Sequence, residues 1–199
     1  MKTLIVYAHL LAACVAIGIL VIQDLAIALS RGNPLSANAS RELKKSAEII
    51  VVALIVLWLT GLSLVLVGYL DNPQQYLFNE KLWAKFTVVA VLTINGIFLH
   101  YYSFPRVTSS KGILGLPVYE QILVALTGAI SSVSWLYACY LGIARTWNYT
   151  VGYDFVMLIY AGFVIGGFIV ACEVMRGLRK AEPPLLTERV QLNASRKYD

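Results

Sequence analysis

The sequence predicts an all-α polytopic membrane protein: a bundle of five transmembrane helices, N-terminus outside and C-terminus in the cytoplasm. Three observations predict it. The 199 residues are 59% hydrophobic and only 14% charged, with a mean hydropathy of +0.72, too apolar for an ordinary soluble domain. The apolar residues form five unbroken blocks, each long enough for the roughly 20 residues that a hydrocarbon core of about 30 Å demands. The basic residues concentrate on one side of these blocks. Twelve of the sixteen Lys and Arg, among them Arg31, Lys44, Arg106 and Arg179, follow the first, third or fifth block, leaving Lys2, Lys81, Lys85 and Arg145 on the other side. The positive-inside rule turns that asymmetry into an orientation. The net charge of +5 is thereby a topology signal, and no nucleic-acid motif accompanies it.

The blocks cover about 3–29, 47–70, 82–103, 118–147 and 153–175, giving one bundle over 1–176 and a disordered cytoplasmic tail over 177–199 that carries Pro183-Pro184 and mixed charge. The first block follows Met1-Lys2 but is too long for a signal peptide and ends in Gln23-Asp24 rather than at a small-residue cleavage site. It is read as a helix of the mature protein. His9, Ala12, Ala13, Ala16, Leu20, Gln23 and Asp24 share one face of it, where three alanines let a second helix or a flat ligand approach closely.

The loop 30–46 is rich in Ser, Asn and Arg, and its latter part starts the second helix early, with Ser40 as N-cap. That helix carries Trp58, Thr60 and Gly61. The third block, KLWAKFTVVAVLTINGIFLHYY from Lys81, holds Lys85, Asn95 and His100 in an otherwise aliphatic run. Lys85, Thr93, Gly96 and His100 lie within about 80° of one another on its surface, and Phe104-Pro105 is read as its end. A polar stripe inside a membrane turns toward other helices or a bound group, because hydrocarbon offers it no partner. In the fourth block Thr127-Gly128 echoes Thr60-Gly61, which suggests a duplicated helix pair; Gly162-x-x-x-Gly166 in the fifth is a close-packing face for the bundle or a homodimer.

Depth sorts the polar groups into two sites. At 1.5 Å per residue, His9 lies roughly 9 Å below the outer end of its helix and Lys85 within about 5 Å of the outer end of the third, while His100 lies about 25 Å down, near Asp24. Two imidazoles on one haem iron must bring their nitrogens within about 4 Å of each other. A gap near 16 Å excludes that for His9 and His100. The outer cluster is His9 and Lys85, with Met157, Arg145 and Tyr153 as candidates to join. The inner cluster is Asp24 and His100, with Gln23, Gln121 and Glu173 beside them. The inner pair reads either as a hydrogen bond that locks the first helix to the third or as a catalytic proton relay. Cys14, Cys139 and Cys172 lie inside spans with no metal-binding spacing, and buried thiols of that kind pack.

The outer combination carries a resemblance. Tyr7-Ala8-His9-Leu10-Leu11-Ala12, Leu59-Thr60-Gly61 and Leu82-Trp83-Ala84-Lys85-Phe86 resemble the small bacterial membrane protoporphyrinogen oxidases and the related copper-resistance D-like membrane proteins, over about residues 1–145. The resemblance implies a protein of the bacterial inner membrane that binds haem b. His9 would be the axial ligand to its metal, and Lys85 the cofactor-binding and catalytic partner at a haem propionate, a porphyrin or a substrate carboxylate. Electrons would be taken from a porphyrinogen or passed to the quinone pool. Asp24 and His100 would then be the catalytic proton carriers of the inner half. Where that family has an arginine soon after the glycine of its first helix, this chain has Ile22-Gln23-Asp24, and it adds a fifth helix with a basic tail. Two other readings compete: a transporter for a metal ion or small solute, and a non-catalytic subunit held to a membrane-complex partner. Copper transport calls for clustered Met and Cys, and Met1, Met157, Met175 and the three cysteines make no such cluster.

Overall fold

A computed structural model describes residues 2–181. Five helices are long and apolar enough to cross a membrane: α1 (Lys2–Leu29), α2 (Ala37–Asp71), α3 (Glu80–Val107), α4 (Val118–Ile143) and α5 (Tyr153–Ala181). No strand occurs among the described residues. The protein is an all-α polytopic membrane bundle, and its lipid-facing residues, such as Leu10, Ile22, Leu59 and Ile165, stand exposed on the outside. Starts of α1, α3 and α5 and ends of α2 and α4 gather at one end, hereafter the N-terminal end.

Several boundaries differ from the sequence reading for local reasons. Ser36, not Ser40, caps α2: its extended backbone lets its hydroxyl accept from the Ala39 N–H at 3.2 Å, whereas the Ser40 N–H is already bonded to Ser36 O. At 35 residues, or about 52 Å, α2 overruns the bilayer, so its basic first turns with Arg41, Lys44 and Lys45 stand beyond the apolar segment. Pro105 does not end α3. A π-turn over Leu99–Ser103 leads into one more helical turn, Phe104–Val107, which contains Pro105. α4 stops at Ile143, and Arg145–Trp147 form a 3₁₀ turn. α5 runs to Ala181, so 177–181 are helical; 182–199 lie outside the described residues.

Two packing units emerge. α1 and α2 form a tight antiparallel hairpin, while α4 is sandwiched between α3 and α5. Apolar surface gains little by leaving lipid, so close packing and interhelical hydrogen bonds hold such units. In the three-helix unit Ala84, Val88, Tyr137, Leu141, Val156 and Tyr160 make a buried cluster. Tyr137 donates to Val156 O at 2.8 Å, and the Ser134 and Tyr160 hydroxyls meet at 2.7 Å. A second cluster, Ala16, Leu20, Ala53, Leu92 and Trp135, joins the hairpin to α3 and α4. Ala16 is 0% exposed, as the alanine face of α1 requires. α2 meets α3 through side chains: the Trp58 indole N–H donates to Thr93 Oγ1 at 3.0 Å, and its ring lies 6.2 Å from that of Phe86.

Side chains also close the N-terminal end. Lys81, 7% exposed, donates to the Ala144 carbonyl at 2.7 Å, where α4 leaves backbone oxygens unpaired. Glu80 Oε2 accepts the Tyr153 N–H at 2.6 Å and so caps α5. Lys2 and Asp71 form an exposed ion pair at 3.7 Å. The two Thr-Gly pairs sit at unequal depths, Thr60 about six turns into α2 and Thr127 about two and a half turns into α4; this placement does not match the echo expected of a duplicated pair.

Candidate functional site

Between the two packing units, toward the N-terminal end, lies a cavity of about 400 Å³. α1 lends it His9 and Ala13, α2 lends Trp58 and Gly61, α3 lends Lys85 and Phe86, and α4 lends Trp135 and Gly142. The two outer residues singled out in the sequence therefore share one wall-to-wall space. It exists because four helices meet there through side chains rather than backbone. The walls are aliphatic and aromatic apart from His9, Lys85 and a few hydroxyl, thiol and indole groups.

His9 is held in one orientation. Its Nδ1 lies 2.8 Å from Thr60 Oγ1, and that hydroxyl has its own proton engaged with the Val56 carbonyl at 2.6 Å. A hydroxyl has one proton to give, so Thr60 accepts and His9 Nδ1 donates. In the neutral ring this fixes the proton on Nδ1 and leaves the Nε2 lone pair free. Nε2 has no hydrogen-bond partner among the described residues. Gly61 lies beside the ring: a methyl group built there would sit 3.5 Å from His9 Cε1, in ordinary contact. The sequence reading used Thr60-Gly61 only as an internal echo and as part of a resemblance, yet Thr60 is the hydroxyl that aims the imidazole. Helical threonines return their proton to the preceding turn, and that habit was the available signal.

Lys85 is the unusual group. One turn earlier, Lys81 spends its ammonium on Ala144 O, but Lys85 Nζ makes no hydrogen bond or ion pair among the described residues. It lies 3.5 Å from the position a Gly142 side chain would occupy, so the missing side chain at 142 leaves its ammonium room. An ammonium in an apolar cavity without a counter-ion is costly, and an anion of matched geometry offsets that cost. The arrangement can thus do two things chemically: offer one nitrogen lone pair and bind one negative charge.

The other candidates do not join this space. Met157 packs against the buried cluster of α3, α4 and α5. Arg145 is exposed on the 3₁₀ turn, and the Tyr153 hydroxyl meets Thr87 at 3.1 Å. The expected Asp24–His100 lock is not formed. Asp24 accepts from Ser132 on α4 at 2.6 Å, so it ties α1 to α4 instead of α3. His100 sits exposed in the π-turn, edge-on to Tyr101 with ring centroids 5.1 Å apart. Beyond Thr93 the polar stripe of α3 turns outward: nothing lies within 4 Å of where a Gly96 side chain would stand, and His100 is exposed. Gln23 donates to Leu43 O, Gln121 to Leu114 O and Leu116 O, and Glu173 pairs with Arg176 on the surface of α5. Among the described residues, no three His, Cys, Asp or Glu side chains gather as a multidentate metal site. Cys139 lines the cavity; Cys14 is exposed.

Compared with known proteins, this five-helix chain matches no family model, no curated protein and no solved structure.

Proposed function

We propose that the protein is a haem b-binding integral membrane redox protein, in which His9 would ligate the iron and Lys85 would pair with a carboxylate of the tetrapyrrole. The observation that carries this is the pairing, in one cavity, of an imidazole whose Nδ1 proton is tied to Thr60 and an ammonium without a partner among the described residues. Ligating histidines characteristically donate their second nitrogen to a neighbour that fixes tautomer and ring angle. Carboxylates held by a lysine near the end of a span are the least expensive anions to keep in a membrane.

The donor set fits a haem. It supplies one imidazole nitrogen, one cation for a propionate, and flat walls of Trp58, Phe86 and Trp135 that suit an aromatic macrocycle. Bound there, a haem would supply one-electron exchange. The residues of the chain do the rest: Thr60 holds the imidazole, Lys85 orients and neutralises a carboxylate, and the aromatic walls keep water away. Oxidation of a porphyrinogen, or delivery of electrons to a quinone, is the reaction implied by the resemblance of the His9 and Lys85 segments.

The test is an absorption spectrum of detergent-purified protein expressed with haem precursors, oxidised and then reduced. A Soret band that shifts on reduction and disappears in His9→Ala is expected. A colourless wild-type protein, or a His9→Ala variant with an unchanged band, overturns the assignment.

A further inference from the structure

Beside the cavity lies a second hollow of about 530 Å³, between α2 and α3, lined by Leu59, Leu66, Trp83 and their neighbours. The two spaces share Leu62, Val65, Tyr76, Leu82 and Phe86 as a common wall. On its far side the hollow faces lipid, since Leu59, Leu66 and Trp83 are 63%, 59% and 50% exposed within membrane spans. It is almost wholly apolar, and the Ser63 hydroxyl is turned back onto the Leu59 carbonyl at 2.7 Å. The N-terminal end is narrowed by Tyr76, whose ring lies directly over Gly68; a methyl group at 68 would come within 1.9 Å of it. So the cleft adjoins the bilayer on one side and the Lys85 cavity on the other.

The geometry points to a lateral portal: the Lys85 site draws a long-chain monocarboxylate amphiphile sideways out of the bilayer, its head on the ammonium and its tail in the α2/α3 cleft. Charge selects the head. Among the described residues, Lys85 is the one ammonium that lines the cavity, and nearby Lys81 is committed to Ala144 O, so one carboxylate balances it. A zwitterionic phospholipid would bring a cation that finds no anion among the residues lining the cavity. Polarity selects the tail, since Leu59, Leu62, Val65, Leu66, Leu82 and Phe86 give the cleft a mostly apolar lining, with the Tyr69 and Tyr76 hydroxyls as exceptions. α2 and α3, joined here by Trp58, Thr93 and Phe86 side chains, part at the cost of side-chain contacts alone. The inference rests on Lys85 as the partner of an anion in the proposed function, not on iron at His9.

The experiment uses the full chain, prepared without haem, in phosphatidylcholine nanodiscs. Trp83→Phe and Trp147→Phe leave Trp58 and Trp135, both on the cavity wall, as reporters. A stearate dibrominated beside its carboxyl group, so that its bromines enter the cavity with the head and quench a touching indole, is the probe. Saturable quenching is expected, weakened about tenfold or more in Lys85→Gln, which corresponds to about 1.4 kcal/mol. It should be equally weak for dibromostearyl alcohol, and absent for dibrominated phosphatidylcholine beyond a non-saturable background. Val65→Phe, and Leu62→Phe at a half-exposed position should the first variant not fold, are expected to slow its onset by narrowing the shared wall. Equal quenching by acid and alcohol, or no loss in Lys85→Gln, overturns the anion site. Unchanged onset in both narrowing variants overturns the portal. A Soret band without saturable quenching removes this inference and spares the haem assignment; quenching without a Soret band does the reverse.

Discussion

Thr60→Val isolates the element on which the site turns. Valine replaces the hydroxyl by a methyl group of nearly the same size, so packing between α1 and α2 is kept while the acceptor 2.8 Å from His9 Nδ1 is lost. The Val56 carbonyl loses little, since it keeps its helical backbone partner. The imidazole N–H loses everything it had. An unpaired donor in a buried site costs about 1–3 kcal/mol, and because His9 is half-buried the low end applies, about 1 kcal/mol. For a chain of this size that lowers Tm by about 2–4 °C. The effect on ligation is larger, because the ring can then rotate and take either tautomer. Loss of such a supporting bond weakens metal binding by about 10–100-fold. The assay is a haem titration followed at the Soret band, with thermal unfolding of the haem-free protein alongside. Thr60→Ser restores the hydroxyl and should restore both quantities. If Thr60→Val binds haem as tightly as the natural protein, or if Thr60→Ser fails equally, the orienting role is refuted.

The remaining predictions concern neighbouring contacts. Lys81→Met and Lys85→Met, one turn apart, should part company in thermal unfolding of the haem-free protein. The first removes the bond to Ala144 O and costs about 1–3 kcal/mol, whereas the second breaks no internal bond and leaves Tm unchanged or raised. Gly68→Ala must displace the Tyr76 ring, costing about 1–3 kcal/mol as overpacking; adding Tyr76→Ala should recover part of it, and strict additivity of the two changes would contradict the contact. Asp24→Asn and Ser132→Ala should couple in a double-mutant cycle by more than about 0.5 kcal/mol, since the groups are 2.6 Å apart, while His100→Ala should be additive with either. Coupling between Asp24 and His100 instead would restore the lock that the sequence suggested.

Much of this molecule can be read without coordinates, and the places where reading stops have physical causes. Block length and hydropathy mark the five helices because spanning a bilayer imposes both at once. The alanine face of α1 is legible for a related reason: small side chains repeated at helical spacing mark a face of close approach, and Ala16 is fully buried there. Depth along a helix is a matter of counting, so His9 and Lys85 could be set at one level and His100 apart from them. Rotation is where counting fails. It placed His100 on the same stripe as Lys85, but whether a stripe is covered depends on how the neighbouring helices pack, and at His100 the stripe is exposed. Asp24 found Ser132 on α4, a choice between neighbours that no periodicity encodes. The continuation of α3 through Pro105 depends on a π-turn that has no strong sequence mark.

The two packing units have a consequence for assembly. The hairpin of α1 and α2 clings to itself, and much of its junction with the other three helices is the rim of a hollow. Whatever settles into that hollow touches both halves at once and becomes the mortar of the molecule. Occupied protein should therefore melt as one body and resist proteases in the connecting loops, while empty protein should let its leading hairpin rock away first.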